Sequence, residues 1–220
     1  MLYKSIINKN DLVFDIGANI GNRTKMFLEL GAKVVCVEPQ VECIEIIKRR
    51  FGEKISIVQK VLGEEENNVD FYVASTNTVS TYSKKFIKET KENGRFKNIK
   101  WDKKISVEMT NLDSIIKEYG IPKFCKIDTE GSEINVLRGL SIPIEYISFE
   151  FTPEIGKDSL MCIDRLLEID SNYQFNYSEG ESLEFISDKW VQKVDMKNFL
   201  SPMIFNKPMV FGDIYSRLGQ

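Results

Sequence analysis

A strand, a glycine loop and a helix follow one another near the start of the chain, and this order constrains the fold more than any other feature. The apolar run 12–14 leads into Asp15, the loop from Asp15 to Asn22 reads DIGANIGN, and a helix-like stretch continues to Leu30. In open α/β sheets, a unit of this kind binds a nucleotide-like ligand beyond the carboxyl ends of the strands. The sequence therefore predicts an α/β sheet with a ligand crevice above its first strand.

Strand and helix patterns then alternate along most of the chain. The predicted strands are Asp11–Ile16, Lys33–Glu38, Ile55–Val61, Val69–Ala74, Ile105–Met109, Lys123–Asp128 and Glu145–Phe151. The predicted helices are Asn22–Leu30, Val41–Phe51, Leu112–Tyr119, Glu133–Leu140 and Ser159–Ile169. Three late strands, expected to be antiparallel, are Tyr173–Tyr177, Leu183–Ile186 and Met209–Tyr215. The initial βαβαβ order predicts a mostly parallel sheet with right-handed crossovers.

Length and composition favour one globular domain over residues 1–220. The chain is 42% hydrophobic and 11% aromatic, which is typical of a folded protein with a full core. Its net charge of −3 gives no reason to expect nucleic acid as a partner. Histidine is absent, so catalytic triads that need histidine and zinc sites with histidine ligands are excluded.

The cysteines and the apolar runs bear on the compartment. The four cysteines are scattered and form no CxxC pair, so we expect reduced, structural thiols and a cytoplasmic protein. The N-terminal residues lack the apolar core of a signal peptide, and no run of 18 apolar residues is present. The sequence therefore predicts no transmembrane segment.

A basic segment, residues 76–104, interrupts the regular pattern. It contains nine basic and three acidic side chains, an excess of six positive charges. We expect a mobile insertion over the sheet, partly helical over Ser83–Lys91, that is either a solvated surface or a flap that recruits an anionic acceptor.

Two acids at predicted strand ends indicate the charge of the ligand. Asp15 would repel a phosphate but attract an ammonium or a sulfonium group. Glu38 ends the next strand and suits two ribose hydroxyls, in S-adenosylmethionine and NAD alike. The loop also has Asn19 where a dinucleotide fingerprint would have a middle glycine. S-adenosylmethionine fits these features better than NAD.

Three segments together resemble the FkbM family of S-adenosylmethionine-dependent methyltransferases. They are VFDIGANIGN from Val13, VEP from Val37 and FCKIDTEGSE from Phe124, and Leu112-Asp113 also fits the family pattern. The resemblance implies a Rossmann-like class I fold with a seven-stranded sheet and methyl transfer to an oxygen of a sugar, glycolipid or secondary metabolite. The cofactor-binding residues expected are Asp15, Gly17, Ala18, Asn19, Gly21, Asn22, Glu38, Pro39, Val61 and Asp128.

The chemistry must come from acids or other non-histidine groups. A hydroxyl acceptor sheds a proton during transfer, so a base or a metal helps. Asp128 at the strand end, Glu130 in the following loop and Glu150 near the end of the next strand are the candidate catalytic residues. The same acids could bind Mg²⁺, but we favour a site without metal.

Other functions stay open at this point. An NAD-dependent oxidoreductase or epimerase on a similar fold is the alternative enzyme, and a binding module that has lost its chemistry is the alternative without catalysis. The acceptor is expected to be a small molecule or glycan, which the basic segment suggests could be anionic. The oligomeric state and the identity of the acceptor do not follow from the sequence.

Overall fold

The computed structural model of the protein describes residues 2–92, 96, 98–206 and 210–219. The strands are β1 (Leu12–Ile16), β2 (Lys33–Val37), β3 (Ile55–Val58), β4 (Val61–Leu62), β5 (Asn67–Val73), β6 (Lys103–Thr110), β7 (Phe124–Ile127), β8 (Tyr146–Phe151), β9 (Tyr173–Glu179) and β10 (Gly212–Leu218). The α-helices are α1 (Asn22–Glu29), α2 (Val41–Phe51), α3 (Lys84–Glu92), α4 (Leu112–Tyr119), α5 (Glu133–Arg138), α6 (Gly156–Ile169) and α7 (Lys193–Asn206).

The main sheet has seven strands in the order β3-β2-β1-β7-β8-β10-β9. The pairs from β3 to β8 are parallel, whereas β10 runs antiparallel to both of its neighbours. The strand order reverses next to β1, so the carboxyl ends of β1, β2 and β7 open onto the crevice where such sheets bind ligands. The predicted Rossmann-like α/β fold with a mostly parallel seven-stranded sheet is confirmed.

Helices cover both faces of this sheet because its strands are buried on both sides. Val13 packs into one apolar cluster with Phe27 of α1 and Ile47 of α2. Its neighbour Phe14 points to the other face and packs with residues of α4 to α7, including Leu112, Leu137, Leu166 and Leu200. The alternation along β1 thus divides the core into two layers, as expected for side chains of period two.

A second sheet of three strands, in the order β4-β6-β5, was not predicted as a separate unit. The predicted strand Ile55–Val61 was wrong as one element, because the chain leaves the main sheet after Val58. Val61 and Leu62 instead pair with Met109 and Thr110 of β6. This turn away from the main sheet places β4 and β5 beside the crevice.

The predicted strand Leu183–Ile186 was also wrong. These residues form a loop, and Leu183 and Phe185 pack with the cluster on the α1 face instead of extending a sheet. The helix α7 was missed because its apolar residues follow no helical period and Pro202 lies inside it. The predicted last strand begins at Gly212, and Met209 lies outside the described residues.

The basic segment is anchored to the fold through its aromatic side chains. Phe86 of α3 is fully buried and packs with Phe96, Trp101 and Ile155. The Trp101 indole N–H donates to the carbonyl of Val79 at 2.9 Å. The predicted helix is present, and it lies over the carboxyl edge of the main sheet.

Gly17 lies where β1 approaches the end of β7 most closely. Its φ of +77° lies in the left-handed region, and a Cβ added there would lie 1.8 Å from the carbonyl oxygen of Asp128. The N–H of Asp128 donates to the carbonyl of Ile16 at 3.0 Å, so the two strand ends are bonded at this point. No side chain larger than hydrogen fits without moving the Asp128 loop.

We expect Gly17→Ala to lower the free energy of unfolding by about 2 kcal/mol more than Gly52→Ala. Both glycines have positive φ, so both variants carry backbone strain. Only Gly17 has a neighbour within reach, because nothing lies within 4 Å of a Cβ added at Gly52. Urea unfolding of both variants measures the difference, and equal losses would contradict the close approach.

Candidate active site

A cleft of about 310 Å³ opens at the carboxyl ends of β1, β2 and β7. Its wall includes nine of the ten predicted cofactor-binding residues, namely Asp15, Gly17, Ala18, Asn19, Asn22, Glu38, Pro39, Val61 and Asp128. The predicted catalytic residues Glu130 and Glu150 line it as well. The volume lies at the lower end of the range for small-molecule sites.

Gly21 is the predicted residue that the wall does not include. It occupies the N-cap position of α1 with a φ of +78°, and its α-carbon faces the Phe51 ring. A Cβ at this position would lie 2.6 Å from that ring. Gly21 therefore shapes the turn into α1 from behind the cleft.

Asp15 is buried at the tip of β1, with 1% of its surface exposed. Its Oδ2 atom accepts a hydrogen bond from the Thr24 hydroxyl of α1 at 2.6 Å. Burial raises the pKa of Asp15, while the nearby Lys126 cation and the Thr24 bond oppose that rise. A second cation in the cleft would stabilise the ionised form of this carboxyl group further.

Glu38 has its carboxylate fixed by backbone donors. The N–H of Asn19 donates to Oε2 and the N–H of Gln40 donates to Oε1, both at 2.9 Å. Burial raises the pKa of Glu38, and these hydrogen bonds act in the opposite direction. Asn19 adopts a φ of +50°, which turns its N–H toward this acid. The carboxylate at the second strand end is thus presented to the cleft in one orientation.

Lys126 is a buried cation among the acids, and sequence reasoning missed it. Its Nζ atom lies 2.6 Å from Oδ2 of Asp128, and its side chain is 3% exposed. Burial lowers the pKa of Lys126, but the charges of Asp128, Asp213 and Asp15 outweigh this and raise it. Lysine within an apolar strand pattern gives no signal of this role, because its partners come from β1, β7 and β10.

Asp128, Glu130 and Glu150 form a carboxylate cluster at the β7 and β8 end of the cleft. Each offers an oxygen, and the three oxygens lie within 4.8 Å of one another. Oε2 of Glu150 is buried and has no hydrogen-bond partner among the described residues. Burial raises the pKa of Glu150 well above its usual value, and the charges of Glu130 and Asp128 raise it further. The structure thus brings the three predicted catalytic acids together.

Glu133 shapes the loop that carries this cluster. Its carboxylate accepts hydrogen bonds from the N–H groups of Thr129 and Gly131 at 2.8 to 3.2 Å. Glu130 and Gly131 both have positive φ, and a Cβ at Gly131 would lie 2.6 Å from Cβ of Phe86. The loop is therefore held between its own acid and helix α3.

The opposite wall comes from the second sheet and the start of the basic segment. Phe71, Thr78, Ser80 and Tyr82 line it, and the last three belong to the segment 76–104, for which the sequence suggested a flap and, for Tyr82, a surface that could stack on a sugar. The Tyr82 hydroxyl donates to the carbonyl of Leu62 at 2.9 Å, which fixes the segment against β4. Phe71 was not expected at the site, because its position depends on the second sheet, which was not predicted.

Much of the positive charge in the basic segment is paired with acids. Lys85 contacts Asp158 at 2.6 Å, Lys104 contacts Asp70 at 3.0 Å and Lys103 contacts Glu42 at 3.4 Å. Lys88 lies 3.9 Å from Glu92 on the same helix, and Lys91 lies over the Trp101 ring. Arg95 and Lys97 lie outside the described residues. Such exposed pairs reduce the excess charge that the composition suggested.

Comparison with known proteins decides the family. The model of the Methyltransferase FkbM domain matches residues 15–188, a range that contains every predicted cofactor-binding and catalytic residue. The chain belongs to the FkbM methyltransferase family. The resemblance drawn from the glycine loop, VEP and the KIDTEGSE block is thereby confirmed.

Two proteins similar to this FkbM family member differ in sequence identity and in how much of each chain is matched. The mitochondrial ribosomal RNA small subunit methyltransferase of Arabidopsis thaliana is 36% identical over 77 residues, 32% of this chain and 20% of that protein. The chain thus spans about a fifth of that relative. Precorrin-6y C5,15-methyltransferase from Geobacter metallireducens GS-15 shares the fold, with a TM-score of 0.52, 8% identity, and coverage of 99% of this chain and 84% of the other.

Two further structural features concern the thiols and the helices of this FkbM domain. All four cysteines are buried free thiols. In the described ranges, no helix has both the length and the apolar character needed to cross a bilayer.

The buried acid Glu133 is expected to make the stability of the protein depend on pH. Burial raises its pKa from 4.5 to about 6, so the folded state binds more protons than the unfolded state between these values. Its contribution to stability is therefore full below pH 4.5 and is lost as the pH rises through about 6, a change of about 2 kcal/mol. We expect this loss to be absent in Glu133→Gln, which carries no ionisable group there.

Chemical unfolding of wild type and Glu133→Gln at pH 4 to 7 measures the difference. Glu65→Gln is the matched control, because Glu65 is exposed and distant from the carboxylate cluster in sequence. A wild-type profile parallel to that of Glu133→Gln over this range would show that the buried acid does not titrate as expected.

Proposed function

We propose that the protein is an S-adenosylmethionine-dependent methyltransferase that transfers a methyl group to an oxygen of a small molecule or glycan. Family membership supports methyl transfer, and the arrangement of acids around the cleft supports the cofactor. The single observation that carries the proposal is the fixed carboxylate of Glu38 in one cleft with the buried acid Asp15 and the partly exposed acid Asp128. The proposed cofactor-binding residues are those expected from the sequence, except that Gly21 shapes the turn into α1 and does not line the cleft.

The charge of the cleft favours a cationic cofactor over a diphosphate. Its described wall contains three cationic side chains, Arg23, Lys60 and Lys126, and six carboxyl groups, those of Asp15, Glu38, Asp128, Glu130, Glu150 and Glu181. A sulfonium and an ammonium group are attracted by this excess of acids, whereas the pyrophosphate of NAD is repelled. This difference counts against the oxidoreductase alternative.

Glu150 is the proposed general base. A base must hold no proton before transfer and must accept one during transfer, which a raised pKa near the working pH favours. The pKa of Glu150 is raised by burial and by its acidic neighbours, and its Oε2 atom is left without a partner. Asp128 is already paired with Lys126, which suits it to positioning the methyl donor instead.

A divalent cation is the alternative use of the same three acids. Their spacing would allow Mg²⁺ to bind with modest movement, since this ion takes oxygen ligands at about 2.1 Å. The Lys126 cation already lies 2.6 Å from Asp128 and would repel a second cation beside it. We therefore favour catalysis by carboxylates, and we expect turnover to be insensitive to EDTA.

The reacting group of the acceptor is expected to be uncharged. Three carboxylates at the transfer end of the cleft would repel a phosphate or carboxylate brought close to the methyl group. An anionic part of the acceptor would have to lie farther out, near the lysines of α3. RNA is the competing acceptor class, since one relative is named for ribosomal RNA, and radiolabelled methyl transfer to RNA in place of sugars or glycolipids would overturn this part of the proposal.

We expect Glu38→Gln to weaken binding of S-adenosylhomocysteine about tenfold or more, because a charge-assisted contact to the ribose is lost. Glu42→Gln is the matched control, since Glu42 is an exposed acid on the neighbouring helix α2. Isothermal titration calorimetry with S-adenosylhomocysteine and with NAD measures both variants. Tighter wild-type binding of NAD would replace the proposed cofactor.

We expect Glu150→Gln to lower kcat by a factor of about 100 or more while the affinity for S-adenosylhomocysteine stays near that of wild type. In wild type, kcat/KM should rise with pH as the base loses its proton, and this dependence should vanish in the variant. Glu130→Gln is the comparison within the same cluster. Equal kcat in wild type and Glu150→Gln with an active acceptor would remove Glu150 from the chemistry.

A further inference from the structure

The cofactor proposed above carries an anionic group that the acids of the cleft cannot hold. S-adenosylmethionine ends in an α-amino acid whose carboxylate needs a cation or several N–H donors. In the described wall of the cleft, the cationic side chains are Arg23, Lys60 and Lys126. These three residues are therefore the candidate cations for the carboxylate subsite.

Lys126 and Lys60 are poorly suited to this task. Lys126 forms an ion pair with Asp128 at 2.6 Å and interacts electrostatically with Asp15 and Asp213. Its positive charge is therefore already compensated by acids of the protein. Lys60 lies on the β3 and β4 side and pairs with Glu108 at 3.0 Å. Because Glu38 at the end of β2 marks the ribose, Lys60 lies toward the adenine end of the cleft.

Arg23 lies at the opposite end. It belongs to the first turn of α1, and the charged or ionisable groups around it include Tyr3, Asp213 and Tyr215. Asp213 and Tyr215 lie on β10, which is separated from β2 by β1, β7 and β8 in the sheet order. A cofactor with its ribose on Glu38 and its sulfur near Asp128 would therefore extend its amino acid end toward Arg23.

Glu181 is the ionic partner of Arg23. In this pair the arginine side chain is 17% exposed and the glutamate side chain is 72% exposed. Glu181 follows the turn at Gly180 that ends β9, and it also lines the cleft. Because the glutamate side chain of this pair is largely exposed to solvent, a bound carboxylate can replace Glu181 at low cost.

We propose that Arg23 binds the α-carboxylate of the cofactor, and that Glu181 holds the guanidinium in place until the cofactor displaces it. This inference rests on the proposed function, since it assigns a subsite of the same cofactor. Arginine can bind a carboxylate through two parallel N–H bonds, so it also fixes the direction of the methionyl chain. The proposal extends the site beyond the residues that the motifs identify.

A pair of ligands tests this assignment separately from the cofactor assignment. S-adenosylhomocysteine carries the amino acid end, whereas 5′-methylthioadenosine has the same adenosine and thioether without it. We expect Arg23→Gln to weaken binding of S-adenosylhomocysteine at least about tenfold while the affinity for 5′-methylthioadenosine changes less than about twofold. Calorimetry with both ligands measures these affinities, and circular dichroism checks that the variant is folded.

A second variant keeps the test valid if Arg23→Gln fails to fold. Glu181→Lys removes the competing carboxylate at an exposed position, so we expect tighter binding of S-adenosylhomocysteine and an unchanged affinity for 5′-methylthioadenosine. Glu179→Lys is the matched control, because Glu179 is exposed on the same strand end but is outside the cleft wall. An equal gain in both lysine variants would reflect the general field and would overturn the role of Glu181.

Three outcomes overturn the assignment of Arg23. Arg23→Gln could bind S-adenosylhomocysteine as wild type does, which would leave the amides at the start of α1 as the carboxylate subsite. It could lose both ligands equally, which would indicate a structural role. Wild type could bind both ligands with equal affinity, which would mean that no group recognises the amino acid end while the proposed function stands. If wild type binds neither ligand, the proposed function itself fails.

Discussion

The ion pair between Lys126 and Asp128, together with the buried acids Asp15 and Asp213 near that lysine, is the interaction on which the site depends. Lys126 comes from β7, Asp15 from β1 and Asp213 from β10, so one buried cation is shared by three strands of the sheet. Removing one partner of such a buried group leaves an uncompensated charge, which is strongly destabilising. The carboxyl edge of the sheet can therefore hold many acids in a small volume because a lysine lies beneath them.

Close backbone contact joins this charged group to the ligand loop. Gly17 passes so near the Asp128 carbonyl that a side chain is excluded, and its N–H donates to the carbonyl of Val37 at 2.9 Å. Three strand ends are thus fixed relative to one another before any ligand binds. Preorganisation of this kind lowers the cost of binding, since little ordering remains to be done.

Local sequence patterns predicted those strands and helices whose apolar residues are the ones buried in the folded protein. The alternating elements from β1 to α2 and from α4 to α6 were found because their apolar periods match their final burial. Ile55–Val61 was wrong because nothing in that apolar run marks the change of sheet at Val58. Helix α7 was missed because tertiary packing stabilises it in spite of Pro202.

The residues of the candidate site likewise fall into those that local sequence patterns could predict and those that they could not. Asp15, Glu38 and Asp128 were identifiable because an acid at a strand end has a predictable place in a parallel sheet. Arg23 and Glu181 are paired across 158 residues of sequence, and Lys126 depends on the distant acids Asp15 and Asp213 as well as on the adjacent Asp128. Charge pairing across a sheet is invisible to a reading of adjacent residues.

The contact of Phe86 with Gly131 has a consequence for how this protein could change its acceptor. The insertion and the loop that bears Glu130 meet at this aromatic residue, so neither can be remodelled without regard to the other. Variation in the exposed lysines of α3 would leave that ring in place and alter only what approaches from outside. Replacement of the ring would disturb the loop that carries the carboxylate cluster, so evolution toward a new acceptor has more freedom on the outer surface of this helix than on its inner one.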